Sequence, residues 1–364
     1  MKRVLQVVGS LNRGGTQAFI MNVFHNIDRE KFMFDFLIFS DSKDGYYEEI
    51  KSMGVTIYSL PPRIKGILSY IKSLSDFYSK HSKEYDVVHY NVCSLTSILP
   101  LYFAKKHKVP VRIIHSHNAG WQGVHNLILH KINKLFISKI ANVYLSCSDK
   151  AAKWSFSYTQ ALKCSKIINN GIDIKQFEYK ESIRANMRNK LFLQDKFVIG
   201  NIGRFAPQKN HLFLIEIFNE VCKIENNAIL LLVGNGYLEN EIKRKIIDNK
   251  LEKKVIFLGI RDDVNDLMQA MDCFVFPSIY EGLGIVLIEA QTSGLQCFTS
   301  DVVPHEAKVT ESIEYVSLSQ KPSYWAERVI KNKNYVRKNQ SDKIIEAHYS
   351  IEQTVEDLIK IYNQ

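Results

Sequence analysis

Ser278 to Ser293 reads SIYEGLGIVLIEAQTS, preceded by Cys273-Phe274-Val275-Phe276-Pro277 and followed by Gly294 and Gln296 to Ser300. The four apolar residues at 273–276 suit a short buried strand. Pro277 ends it, because proline has no N–H for the ladder. Gly294 stands where a helix stops, and Gln296–Ser300 suits the next strand. Strand, glycine-bearing loop, helix, strand is the repeat of a parallel α/β sheet. It puts the loop at the carboxyl edge, where open α/β folds bind ligands. Glu281 falls in the loop and Glu289 on the helix, eight residues apart. Between them the N–H groups of Gly284, Ile285 and Val286 have no intrahelical acceptor and can point at an anion. Donors for phosphate between two acceptors for hydroxyls suit a sugar nucleotide. The alternative is an ordinary loop glutamate and a solvated helix glutamate.

The alternation extends along most of the 364 residues. Val4–Val8, Phe34–Phe39, Val55–Tyr58, Val87–His89, Val111–Ile114, Val143–Cys147 and Lys166–Ile168 are expected strands. A second series comprises Phe197–Asn201, Ile229–Val233, Val255–Leu258, Cys273–Phe276 and Cys297–Ser300. Ile20, Val23, Phe24 and Ile27 recur at helical spacing, as do Leu214, Ile217, Phe218 and Val221. Two such series predict an α/β protein of two doubly wound, Rossmann-like domains. The expected division is 1–175, 176–345 and a last helical stretch, 346–364, packing back on the first domain. The polar turn Asn169-Asn170-Gly171-Ile172-Asp173 marks the boundary. Val355, Leu358, Ile359 and Tyr362 form one apolar face of the last stretch.

A hydrophobic content of 46% is ordinary for a soluble globular chain. No apolar run approaches the ~18 residues of a membrane span, and MKRVLQVVGS is too short in its apolar part for a signal peptide. The six cysteines show no Cys-x-x-Cys spacing and are expected as buried thiols in a reducing, cytoplasmic compartment. Charge is uneven. Residues 1–60 carry 7 Lys and Arg against 7 Asp and Glu, residues 61–170 carry 16 against 4, and residues 171–364 carry 25 against 27. The whole excess of +10 therefore comes from 61–170, which suggests an anionic partner there. Nucleic acid is disfavoured, since no recognition motif or aromatic stacking run is present. Within the block, Leu127 to Ile140 is helical by pattern, with Ile132, Leu135, Phe136 and Ile140 on one face and His130, Lys131 and Lys134 opposite. Such a helix can lie on an anionic membrane surface, or cover a sheet with its basic rim in water.

Gly200 to Asn210 reads GNIGRFAPQKN, between the first strand and first helix of the second series. Arg204 and Lys209 therefore lie on the ligand edge. Two cations there suit a diphosphate, each worth roughly 1.5–3 kcal/mol as a charge-assisted hydrogen bond. In the first domain, Asn12-Arg13-Gly14-Gly15-Thr16-Gln17 follows the first strand, and glycine there lets backbone approach a ligand. The spacing is not the dinucleotide fingerprint. His115-Ser116-His117-Asn118 follows another strand. His117 lies at its carboxyl end, and His115 is the competitor, because alternation makes the assignment depend on register.

Taken in order, these segments resemble the retaining glycosyltransferases of the GT-B fold, family 4, in particular the bacterial enzymes of capsule, exopolysaccharide and lipopolysaccharide assembly. The resemblance covers essentially the whole chain. It rests on Gly203-Arg204 with Lys209, on EGLGIVLIEA with Glu281 and Glu289, on Gly234-Asn235-Gly236-Tyr237-Leu238, and on Leu258-Gly259-Ile260-Arg261-Asp262-Asp263-Val264. It implies two domains facing across a cleft, with Glu289 on the ribose hydroxyls, Glu281 on the donor sugar, and Arg204 and Lys209 on the leaving diphosphate. It places the amides of Gly284, Ile285 and Val286, together with Gly203, Gly234 and Arg261, around the donor. Gly14 and Gly15 approach the diphosphate from the other domain, and His117 lies near the reacting sugar. It further implies a nucleoside diphosphate sugar, a UDP-sugar foremost, as substrate and a glycan or lipid-linked glycan as acceptor. No metal or other cofactor is expected: cations and amides take that role, and the chain has no Asp-x-Asp. The expected location is the cytoplasm, peripheral on the inner membrane face. The rivals are an inactive partner protein of the same fold and a nucleotide-sugar epimerase. Gln296 departs from the family, which often has proline after the Gly-Leu pair, and predicts a softer loop there.

Overall fold

The computed structural model describes residues 1–118, 120 and 124–364. The chain forms two compact units, Met1–Gly171 with Ile351–Gln364, and Ile172–Ser350.

Among the described residues the first unit holds seven strands: β1 (Lys2–Val8), β2 (Phe32–Ile38), β3 (Ile57–Ser59), β4 (Val87–Val92), β5 (Val111–Ser116), β6 (Val143–Ser146) and β7 (Lys166–Ile167). They form one parallel sheet in the order β3-β2-β1-β4-β5-β6-β7. A parallel sheet is covered on both faces, so its strands carry apolar residues on both sides. Leu5, Val7, Val88 and Ile114 belong to one core with Leu74, Tyr78 and Leu101 of the helices Ile67–His81 and Leu99–Lys106. Val4, Phe34, Phe36 and Ile113 belong to another, with Phe19 and Phe24 of the helix Gly15–Asn26. The same core takes Val355, Leu358 and Tyr362 of the helix Ile351–Tyr362. Thr354 Oγ1 anchors that helix by donating to Asn169 O at 2.9 Å.

The second unit has six strands: β8 (Phe197–Ile202), β9 (Ala228–Val233), β10 (Val255–Gly259), β11 (Cys273–Phe276), β12 (Gln296–Ser300) and β13 (Ile313–Val316). They are all parallel, in the order β10-β9-β8-β11-β12-β13. β13 is absent from the sequence reading because its apolar signal is only Ile313 and Val316 around Glu314 and Tyr315. Glu314 faces partly outward and meets Arg328 through two hydrogen bonds, 2.5 and 3.0 Å. Gln296 opens β12, buried and paired with Cys273, rather than softening a loop. The unit is closed where Ile172 pairs with Ser350, which sets its limits at 172 and 350. The cysteines are only partly as expected: Cys147, Cys273 and Cys297 are buried, Cys222 is intermediate, and Cys93 and Cys164 are exposed.

In both sheets the strand order reverses beside the first strand, between β1 and β4 and between β8 and β11. In open α/β sheets the crevice that takes ligands lies at the carboxyl edge of such a reversal.

Leu358→Ala removes a fully buried side chain from the helix Ile351–Tyr362 and should cost about 2–5 kcal/mol in denaturant unfolding. Exposed Glu356→Ala on the same helix should stay within about 0.5 kcal/mol.

Candidate functional site

In the second unit the crevice is lined by the loops after β8 and β11. A short 3-10 turn, Pro207–Lys209, brings Gln208 and Lys209 against the loop that carries Glu281. Lys209 Nζ is 2.7 Å from Glu281 Oε1, in a pair mostly shielded from water. Gln208 Nε2 donates to Tyr280 O at 3.0 Å and to Glu281 Oε2 at 3.2 Å, and Gln208 O accepts from Ile279 N at 2.8 Å. The stem of Lys209 lies over Gly203, 3.4 Å from where a Cβ would stand. Its ammonium sits 4.5 Å from the centre of the Phe276 ring, a cation–π distance. A Cβ on Gly284 would be 3.6 Å from that same ring, so the helix start belongs to this cluster.

Gly284 caps the helix Ile285–Thr292 at φ +84°, a left-handed conformation that favours glycine. The N–H groups of Ile285 and Val286 have no acceptor among the described residues, and no acidic residue occupies the first turn. Glu289, one turn further on, is partly exposed and has neither hydrogen-bond donor nor counter-charge among the described residues. Burial pushes its carboxyl up to about 7. Arg204 is exposed, and its guanidinium has no partner among the described residues. Gly234 (φ +129°) is fixed by backbone: a Cβ there would come 2.2 Å from Gly203 O. Arg261 is engaged locally, donating twice to Asp263 at 2.8 and 2.6 Å.

In the first unit the helix Gly15–Asn26 starts at exposed Gly14 and Gly15, just after β1. Phe19, one turn in, packs against the rings of both His115 and His117, with centroids 5.1 and 5.0 Å away. His115 and His117 lie side by side, 4.0 Å between ring centres, and His117 stands past the last residue of β5. His117 Nε2 is 2.9 Å from Asn91 Oδ1. Burial pushes the His117 imidazole down to about 3.

The helix Val124–Phe136 reverses one expectation. His130, Asn133 and Lys134 turn inward, while Lys131 is exposed: His130 accepts from Leu95 N at 3.0 Å and meets Trp154 O, Asn133 donates to Leu95 O, and Lys134 donates to Trp154 O. The apolar face, with Ile128, Ile132, Leu135 and Phe136, is about half exposed. It is therefore not a sheet-covering helix with its basic side in water. Ile140, expected on that face, is buried instead. A groove of about 600 Å³ adjoins it, lined among others by Tyr102, Lys105, Lys106, Phe136 and Lys139.

Residues 182–350 match the family model described as glycosyl transferases group 1. EpsF of Bacillus subtilis (strain 168), which bears a glycosyltransferase name, is 30% identical over all of this chain and 96% of its own. The chain belongs to the group 1 glycosyl transferases. The UDP-Gal:alpha-D-GlcNAc-diphosphoundecaprenol alpha-1,3-galactosyltransferase of Escherichia coli is 29% identical over 79% of this chain and 76% of its own. The crystal structure of Anabaena Alr3699/HepE in complex with UDP and glucose superimposes with a TM-score of 0.81 over the whole of both chains, at 19% identity. At that identity the likeness speaks for the fold, which is GT-B, with two Rossmann-like units.

In this glycosyltransferase, Gly203, Lys209, Glu281 and Gly284 are gathered by direct contacts, and Arg204, Ile285, Val286 and Glu289 lie on the elements that carry them. Two features depart from a simple ligand set: Lys209 and Glu281 hold each other, and Arg261 holds Asp263. Gln208 escaped the sequence reading as a site residue, as did Gln6, His89, Asn91 and Tyr362 behind His117. A signal existed for some of these, since polar residues recur at i, i+2 inside otherwise apolar strands. Among the described residues no group of three or more His, Cys, Asp or Glu is arranged to hold a metal ion, and no helix is long and apolar enough to cross a membrane.

The raised Glu289 carboxyl predicts a pH signature. Below about pH 4.5 it is protonated whether folded or not. Between there and about 7 the folded protein keeps a proton that the unfolded chain has lost, so its contribution to stability falls as pH rises. Above 7 the deficit is complete, at most about 3 kcal/mol. Glu289→Gln should therefore raise the thermal midpoint at pH 8 and barely move it near pH 4.5, by scanning calorimetry.

Proposed function

We propose that this glycosyltransferase moves a sugar from a UDP-sugar to a hydroxyl of a lipid-linked or surface glycan, with retention at the anomeric carbon and without a metal ion. The observation that carries the reading is the second unit's crevice: Lys209 and Arg204, two free helix N–H groups and an unpartnered Glu289 on adjoining elements. Phosphate oxygens need donors and cations, and ribose hydroxyls need an acceptor such as a carboxylate. The E. coli relative uses UDP-Gal and a diphosphoundecaprenol-linked acceptor by its name, and the Anabaena neighbour holds UDP. Both support the reading.

On this reading Arg204 and Lys209 stabilise the diphosphate as charge builds on it, which is worth most in a preorganised, water-poor setting. Lys209 spends one of its three N–H donors on Glu281 and keeps two for phosphate. Glu281 keeps acceptor capacity for a sugar hydroxyl beyond its bonds to Lys209 and Gln208. In the first unit, His117 offers a sugar hydroxyl a neutral ring. An inactive partner protein is disfavoured by the intact set of charges. An epimerase is tested by incubation with UDP-sugar alone.

Arg204→Ala should leave the thermal midpoint unchanged, because the side chain is exposed and makes no hydrogen bond or ion pair among the described residues, yet weaken UDP binding roughly ten- to a hundredfold in calorimetry. Lys209→Ala should lower kcat about a hundredfold in a donor-saturated UDP-release assay. An unchanged rate counts against Lys209. The product's anomeric proton coupling, read by NMR, tests retention.

The outward apolar face of the helix Val124–Phe136, with Lys105, Lys106, Lys131 and Lys139 around it, supports contact with an anionic membrane surface. Apolar side chains enter the interface while lysines meet acidic headgroups. Arg63 donates to Thr96 O at 2.7 Å, which ties exposed Ile64 and Leu68 to the segment leading into the groove. The protein should float with phosphatidylglycerol vesicles and not with phosphatidylcholine ones. Ile132→Asp with Leu135→Asp should abolish flotation while leaving UDP binding intact.

A further inference from the structure

We propose that Asn91 is a positioning residue that locks His117 in the tautomer with its proton on Nε2, leaving Nδ1 as an acceptor for a neutral donor group, a hydroxyl of the sugar ligand. The ligand part rests on the function proposed above. The lock itself stands on geometry alone.

The polarity of Asn91 is set by the main chain. Its Nδ2 lies 3.2 Å from the carbonyl oxygen of His89 and 2.9 Å from Gln6 Oε1. A backbone carbonyl can only accept, so the group facing it is the amide NH₂. The other end of the amide, Oδ1, then faces His117 Nε2 at 2.9 Å. An oxygen there can only accept, so Nε2 carries the hydrogen. A neutral imidazole has one N–H, and Nδ1 is therefore the bare nitrogen.

The groups behind Asn91 agree with that direction. Gln6 accepts from Asn91 through Oε1, so its Nε2 faces the Tyr362 hydroxyl, 3.2 Å away. The phenol then donates to His89 Nδ1 at 2.8 Å. His89 in turn donates from Nε2 to His115 Nδ1 at 3.1 Å. All of these side chains are buried. Inverting Gln6 or Asn91 would set two donors or two acceptors against each other inside the protein. With the phenol hydrogen on His89, the acceptor open to it, the run ends at His115, whose Nε2 has no partner among the described residues. Gln6 lies opposite His89, and Asn91 opposite His115, in the sheet register, so the run crosses β1, β4 and β5.

His117 Nδ1 is buried and has no partner among the described residues. It stands past the end of β5, against Phe19 of the helix that begins at Gly15. A buried acceptor without a donor is unfavourable, and a ligand hydroxyl that reaches it relieves that. The titratable groups around the ring are His115, His89 beyond it, and Tyr362. Burial holds all three in their neutral forms, as it does His117.

The test uses the full-length protein labelled with ¹⁵N-histidine, with His117 assigned by the signals lost in His117→Gln. Two-bond ¹⁵N–¹H correlations should show the Nε2–H pattern unchanged from about pH 5.5 to about pH 8.5. An Nδ1–H pattern, or titration near the ordinary histidine value, overturns the lock. In Asn91→Ala the pattern should become a mixture of tautomers. Its kcat for UDP-sugar turnover should fall roughly ten- to a hundredfold, with UDP affinity unchanged. A folded Asn91→Ala that keeps pure Nε2–H overturns the role of Asn91. If that variant does not fold, the wild-type spectrum still decides the tautomer. Absence of any UDP release by the wild type would sink the proposed function and leave the spectrum as judge of the lock.

Discussion

The ion pair between Lys209 and Glu281 organises the second unit's site. It joins the loop after β8 to the loop after β11 at the point where the strand order reverses. With both side chains largely buried, removal of either partner would strand the other charge, at a cost of about 3–5 kcal/mol. Gln208 adds three hydrogen bonds between the same loops, so the crevice is stitched rather than left to find its shape on binding. Lys209 is thereby fixed over Phe276 and Gly203, and Gly284 starts its helix against the same ring. Charges held in place before the ligand arrives need no reorganisation when charge develops on a leaving group, which is where electrostatic catalysis gains most.

The two units repeat one topology and furnish it differently. The second places charged groups at its switch point. The first places neutral ones: a run of amides, imidazoles and one phenol, buried and free of ion pairs, ending at His117. A neutral network specifies orientation without attracting counter-ions, and it resists pH where a charged one would not. The helix Ile351–Tyr362 contributes Tyr362 to that run, so a segment far along the chain helps set the direction of hydrogen bonds at the end of β5.

Much of the fold was legible in the residues. Apolar runs of parallel-sheet length, punctuated by glycine and proline, located twelve of the thirteen strands among the described residues, and the thirteenth carried too little apolar signal around Glu314. The helix Val124–Phe136 shows what periodicity leaves open. A hydrophobic stripe identifies a face but not which way it turns. Here His130, Asn133 and Lys134 satisfy backbone groups of Leu95 and Trp154, and that turns the apolar stripe outward. The site was legible as residue types at loop positions, not as pairings. That Lys209 would meet Glu281, 72 residues away, depends on how the loops diverge. Arg261 with Asp263 could have been anticipated from proximity alone. The run behind His117 spans β1, β4, β5 and the last helix, and only the register brings it together.

The proposed function requires that the loops after β8 and β11 together bind a nucleoside diphosphate. A crystal structure with UDP tests it most directly. Diphosphate oxygens should lie within about 2.7–3.2 Å of Lys209 Nζ and the Val286 N–H, with both ribose hydroxyls on Glu289. UDP seated elsewhere on the second unit, with Lys209 still bonded only to Glu281 and Glu289 untouched, would contradict it.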